Sequence, residues 1–164
     1  MNEMIINSLK LLFLLGFTLH NLEEALWLPQ WSKHAKKFHE PVERNKFIFA
    51  VIIITIAGYL ITLLDILSGQ QGSIINYIYL GFIGMMGLNA VLPHLAATIV
   101  LKKYAPGLIT GMLLNLPISV IIIVLHIQDG SNVFYFVIAV LGVTGLILFS
   151  LKYLFRLGGK LINY

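Results

Sequence analysis

The chain has 164 residues, of which 59% are hydrophobic and only 11% charged, with a mean hydropathy of +0.91. A soluble globular domain carries about 25% charged residues, so the composition excludes one and places the chain in a bilayer. Eleven Lys or Arg against seven Asp or Glu leave +4, a surplus that in so apolar a chain sets membrane topology and excludes a nucleic-acid surface. With no cysteine there are no disulfides, thiolate metal sites or thiol nucleophiles, so any chemistry falls to His, Glu, Asp, Asn, Thr and Tyr.

Crossing about 30 Å of hydrocarbon as a helix takes roughly 20 apolar residues. Five stretches qualify, 6–28, 47–67, 74–101, 108–127 and 133–155, and with no internal repeat or linker they predict a single all-α transmembrane domain over 1–164. The first contains a Leu11–Gly16 run like the core of a signal peptide. Acidic Glu3, no small-residue cleavage site and a continuation into His20, Glu23 and Glu24 predict that it is retained as a helix. In the connection 29–46, Trp31, Ala35 and Phe38 recur at helical spacing opposite Lys33, Lys36 and Lys37. That segment fits the headgroup layer, either as a lid or simply as belt aromatics with topological lysines.

On the second span Thr55, Tyr59, Thr62 and Asp65 share one helical face, with Asp65 expected to see water at the span's end. The third span has a small-residue edge, Gly81, Gly84, Gly87 and Ala90, suited to close packing. His126 and Asp129 are read as boundary residues, and His34 and His39 as surface histidines, with His39 also within reach of folding back over a site. Ten of the eleven basic residues fall in the connections 29–46 and 102–103 and in the tail after 151; only Lys10 lies on the other side. The positive-inside bias then places the amino terminus outside and the carboxyl terminus in the cytoplasm.

An ionised Asp or Glu in mid-membrane costs about 2.5–3.5 kcal/mol on insertion scales, so His20, Glu23 and Glu24 within two turns of one helix need partners. Positions i, i+3 and i+4 share a face, and imidazole and carboxylate are ligands for Zn²⁺ first, with Mn²⁺ or Fe²⁺ as alternatives. At 1.5 Å per residue, Asn89, His94, Thr110 and Asn115 lie at the same depth. Pro93 frees the carbonyl of Asn89, and the kink can bring Asn89 and His94, otherwise about 140° apart, to one cavity. The expected metal ligands are therefore His20, His94 and one or both of Glu23 and Glu24. The second glutamate serves as base, and Asn89 or Asn115 as oxyanion donor. The bland alternative is a packing cluster of hydrogen bonds between helices.

The string His20-Asn21-Leu22-Glu23-Glu24, followed by Pro29, resembles the signature of the HXXEE membrane-protein family. Asn89 and His94, then Tyr104-Ala105-Pro106-Gly107, Thr110 and Pro117, are similar to that family's second block. The resemblance implies a small polytopic membrane protein with a suspected metal or catalytic centre, whose polar set is His20, Glu23, Glu24, Asn89 and His94; the expected location is a bacterial cytoplasmic membrane. It implies no established activity.

Two functional classes follow from the residues. One is a metal-dependent intramembrane hydrolase acting on a lipid or lipid-linked substrate from the cytoplasmic leaflet. The other is a proton-coupled or cation-binding transporter, against which the odd number of spans counts. In a third reading, a non-catalytic membrane subunit, the cluster is structural.

Overall fold

The computed structural model describes residues 3–37 and 40–162, so Phe38 and His39 lie outside the described residues. Everything regular in it is helical, and five helices are long and apolar enough to cross a membrane. They are α1 (Glu3–Trp31), α2 (Arg44–Ser68), α3 (Ile74–Leu101), α4 (Leu108–Gln128) and α5 (Val133–Ile162).

The ends differ from the expected boundaries where polar residues prolong a helix beyond its apolar stretch. Helix α1 runs through Pro29, whose missing N–H costs one helical bond, and passes into a 3₁₀ turn, Ser32–Ala35. Ser32 closes this corner: its hydroxyl donates to the Pro29 carbonyl at 2.8 Å and accepts from the Val42 N–H at 2.9 Å. At the other end of the bundle α2 stops at Gly69, whose left-handed φ of 58° lets its N–H bond back to the Asp65 carbonyl. Ser73 then caps α3, accepting from the Asn76 N–H at 3.1 Å.

In hydrocarbon, helices gain little from burying apolar groups and associate through close packing and polar contacts. Both appear here. Phe13, Phe17, Tyr79, Phe82, Ile83 and Ile122 fill the centre of α1, α3 and α4, with Phe17 and Phe82 edge to face at 5.1 Å. They come this close to α2 because residue 58 is glycine: a Cβ there would lie 2.5 Å from the Phe17 ring. The small edge of α3 serves two neighbours. Gly81 and Gly84 meet Ala139 and Val140 of α5, whereas Ala90 meets Gly111 of α4.

The polar stripe of α2 faces α1. Asn21 donates to the Thr55 hydroxyl at 2.7 Å, Thr18 and Tyr59 share a hydrogen bond at 2.9 Å, and Lys10 pairs with Asp65 at 2.6 Å. Asp65 therefore does not see water as expected: it is 2% exposed, held by Lys10 and by the Asn76 amide. His126 is likewise no boundary residue, since it is 1% exposed and hydrogen-bonded to the Ile122 carbonyl. Helix α1 begins well before Lys10, which puts the ammonium inside the bundle, where only an internal carboxylate can neutralise it.

Candidate metal centre

At the end of the bundle nearest the 32–43 connection, α1, α3 and α4 converge on His20. Positions 20 and 24 share a face of α1 by helical spacing. Helix α3 contributes through a π-helical stretch, Ala90–Leu95, around Pro93. Such a wide turn brings residues five apart onto one side, and it sets Asn89 and His94 together, with the amide 3.2 Å from His94 Nε2. Helix α4 has a second π-helical stretch, Gly111–Asn115, just before Pro117. The two wide turns pack on each other with Gly111 against Ala90.

Three ligand atoms meet here. His94 Nε2 is 3.0 Å and His20 Nε2 3.6 Å from Glu24 Oε1, and one atom each from His20, Glu24 and His94 lies within 4.8 Å of the others. The Asn89 amide is 3.2 Å from both Nε2 atoms. Zinc ligands sit about 2.1 Å from the ion, so tetrahedral neighbours are about 3.4 Å apart, and these spacings bracket that edge. Both imidazoles are buried, and their rings meet edge to face at 5.0 Å.

The orientation of His20 is fixed from behind. Its Nδ1 lies 3.1 Å from the Gly107 carbonyl. A carbonyl only accepts, so Nδ1 carries the proton, and in the neutral ring Nε2 is left with a lone pair that accepts from Asn89 and lies beside Glu24 Oε1. Gly107 can supply that carbonyl because it takes φ of 93°, and because a Cβ at this position would lie 2.6 Å from the His94 ring and 2.9 Å from the His20 ring.

Glu23 is placed elsewhere. Its two oxygens accept from the Tyr104 hydroxyl and from the Thr110 hydroxyl at 2.6 Å, with the Thr110 N–H at 3.4 Å. It clamps the 104–110 turn onto α1 rather than joining the three ligand atoms. Partial burial and the bond to Glu23 raise the Tyr104 phenol to about 12, so it remains a donor. Asn115 is also apart, fully buried a turn from His20 against Gly16, its amide atoms without protein partners among the described residues.

Sequence reasoning gave no role to Tyr104 or to the Gly107 carbonyl, and Thr110 only a depth. Backbone carbonyls leave no mark in a sequence, although a glycine between Pro106 and a helix start is a signal for a special turn. His34 bridges Trp31 and Lys103, accepting from the lysine at 2.7 Å, and takes no part in the centre.

The second block, Asn89 and His94 followed by polar residues of 104–117, now has a structural reason to accompany the first. Residues 11–122 match the family described as a protein of unknown function with HXXEE motif. The chain belongs to this family. It is similar to the uncharacterized protein YrkK of Bacillus subtilis (strain 168), 45% identical over 149 residues, covering 90% of this chain and 94% of that protein. No solved structure matches. The HXXEE motif here is His20-Asn21-Leu22-Glu23-Glu24, and its two glutamates face different partners.

Proposed function

We propose that this HXXEE protein is a metal-dependent intramembrane hydrolase acting on a lipid or lipid-linked substrate. The observation that carries the proposal is His20: hydrogen-bonded through Nδ1 to a backbone carbonyl, it offers Nε2 to the same small space as His94 Nε2 and Glu24 Oε1. Histidines that hold metals are oriented in this way by a partner on the other ring nitrogen. A divalent ion, zinc by preference, is an occupant that would satisfy the lone pairs of His20, His94 and Glu24 together. Rotating the Asn89 amide by 180° presents its oxygen as a fourth ligand, since N and O exchange places, whereas its NH2 is the group that donates to a developing oxyanion.

The ion supplies the charge that brings a water's proton within reach of a base near neutral pH. Glu24, at the edge of the cluster with a 15% exposed side chain, then has two roles open to it, ligand and base. Glu23, held by Tyr104 and Thr110, supports the assembly from the side. With the amino terminus outside, as the basic residues favour, the centre lies in the cytoplasmic half of a bacterial membrane.

One feature favours a second reading. Asn89 can donate to His20 Nε2, and the contact between Glu24 Oε1 and His94 Nε2 then closes with a shared proton instead of a metal. A proton-exchanging transporter would use that state. Elemental analysis separates the two: protein purified without chelators and then offered zinc, manganese or iron is expected to retain about one ion per chain. A folded preparation that binds none of them overturns the hydrolase and leaves the proton carrier.

A further inference from the structure

A cavity of about 440 Å³ runs from the candidate centre to the side of the bundle, between α2, α3 and α5. Its inner end is formed by Glu24, Asn89 and Asn21. From there it is apolar. Ala50, Val51, Met85 and Met86 make a buried floor, whereas the rim residues Leu88, Leu92 and Leu148 are 44%, 63% and 64% exposed. The opening therefore faces hydrocarbon, not either aqueous phase. Its volume lies within the range of about 300–1,000 Å³ usual for small-molecule sites.

We infer that this cavity holds one hydrocarbon chain of the substrate lipid, with the chain's polar end at Glu24 and Asn89. The inference rests on the hydrolase reading above and adds to it the route of entry and the class of substrate. Three observations favour a flexible chain over a rigid ring system or a peptide. The walls offer no polar side chain between the Asn21–Glu24–Asn89 end and Thr144 of α5, so a peptide backbone would go unsatisfied. Two adjacent methionines form the floor, and unbranched thioether chains adapt to a bending alkyl tail. Polarity is confined to one end, next to the ligand atoms, which matches a lipid with the bond to be attacked beside its headgroup. Thioester, ester and phosphoester linkages share that geometry, so the chemistry of the cavity fixes the chain and not the bond.

The test uses full-length protein in vesicles of phosphatidylethanolamine and phosphatidylglycerol, doped with phosphatidylglycerol bearing a diazirine in one acyl chain. After irradiation, adducts are mapped by mass spectrometry and bound metal is measured on the same sample. The expected result is labelling of Val51, Met85 and Met86 above that of Leu141 and Phe149, although the last two are far more exposed, at 67% and 65%. Filling the cavity with Ala50→Trp should lower the Met85 and Met86 adducts at least fivefold and leave Leu141 and Phe149 unchanged. Leu148→Trp at the exposed rim does the same with less risk to folding. Labelling that simply follows exposure and ignores both substitutions overturns the inference, with metal retention showing whether the hydrolase reading survives. Cavity labelling in a protein that binds no metal overturns the hydrolase reading and keeps the chain site.

Discussion

The two ends of the bundle both bury ionisable side chains, and they are built in opposite ways. At the end where α1 begins, Lys10 and Asp65 lie 2.6 Å apart, and Asn76 donates to the second carboxylate oxygen at 3.0 Å. Each charge meets its opposite inside the protein. At the other end, Glu24 and Glu23 face histidines, hydroxyls and an amide, and no lysine or arginine among the described residues pairs with either. A buried charge needs compensation, and at the first end the chain carries it permanently. At the second no opposite charge is built in among the described residues, and in the proposed reading a bound cation would take that task.

The contrast predicts that charge removal has opposite consequences at the two ends. The largest effect is expected from Glu24→Gln, which keeps shape but removes the only carboxylate among the three converging ligands. Metal binding should be abolished, while thermal unfolding in detergent stays at or above that of the wild type because a buried ion is gone. Competition with a chromophoric zinc chelator measures the first, and a melting curve the second. If Glu24→Gln instead destabilised the fold and left affinity intact, the two ends would be alike.

Asp65→Asn should do the reverse. It strands the Lys10 ammonium within the bundle at a cost of about 3–5 kcal/mol, read by denaturant unfolding, with metal stoichiometry unchanged. Adding Lys10→Met should restore most of the loss, since an apolar replacement of a buried pair is often neutral.

Two smaller effects sharpen the comparison within the candidate centre. Gly107→Ala forces a Cβ against both histidine rings and strains a residue at φ of 93°. Metal affinity should fall about 10–100-fold, the range for disturbing a ligand's supporting partner. Glu23→Gln is expected to keep the metal, with affinity within about tenfold. Its effect should appear instead as faster amide exchange over residues 104–110, the turn it clamps to α1. Loss of metal from Glu23→Gln alone would move Glu23 into the ligand set.

The five spans were legible because hydropathy is a local property: a run of apolar residues of sufficient length becomes a helix in a membrane whatever its neighbours are. The pairing of His20 with Glu24 was legible for a similar reason, since an i, i+4 spacing fixes a shared face. Pro93 signalled a disturbance near Asn89, but a proline only removes a hydrogen bond. That the chain answers with a wide turn was not legible locally; in the structure Ala90 of that turn packs on Gly111 of the facing wide turn of α4.

Asp65 and His126 were misread for the complementary reason. Each looked like a residue at the water's edge when judged by its own segment, and each is buried in the bundle, Asp65 against Lys10 of another helix. The division of labour between Glu23 and Glu24 likewise depends on residues more than 60 positions away, Tyr104 and Thr110 for one and His94 for the other. The amino-acid sequence alone thus determined which segments form helices long and apolar enough to cross a membrane and which chemical groups they carry. Only the tertiary structure decided which of those groups neutralise one another and which are left converging on a shared space, because that depends on helix register, and register follows from packing across the whole bundle.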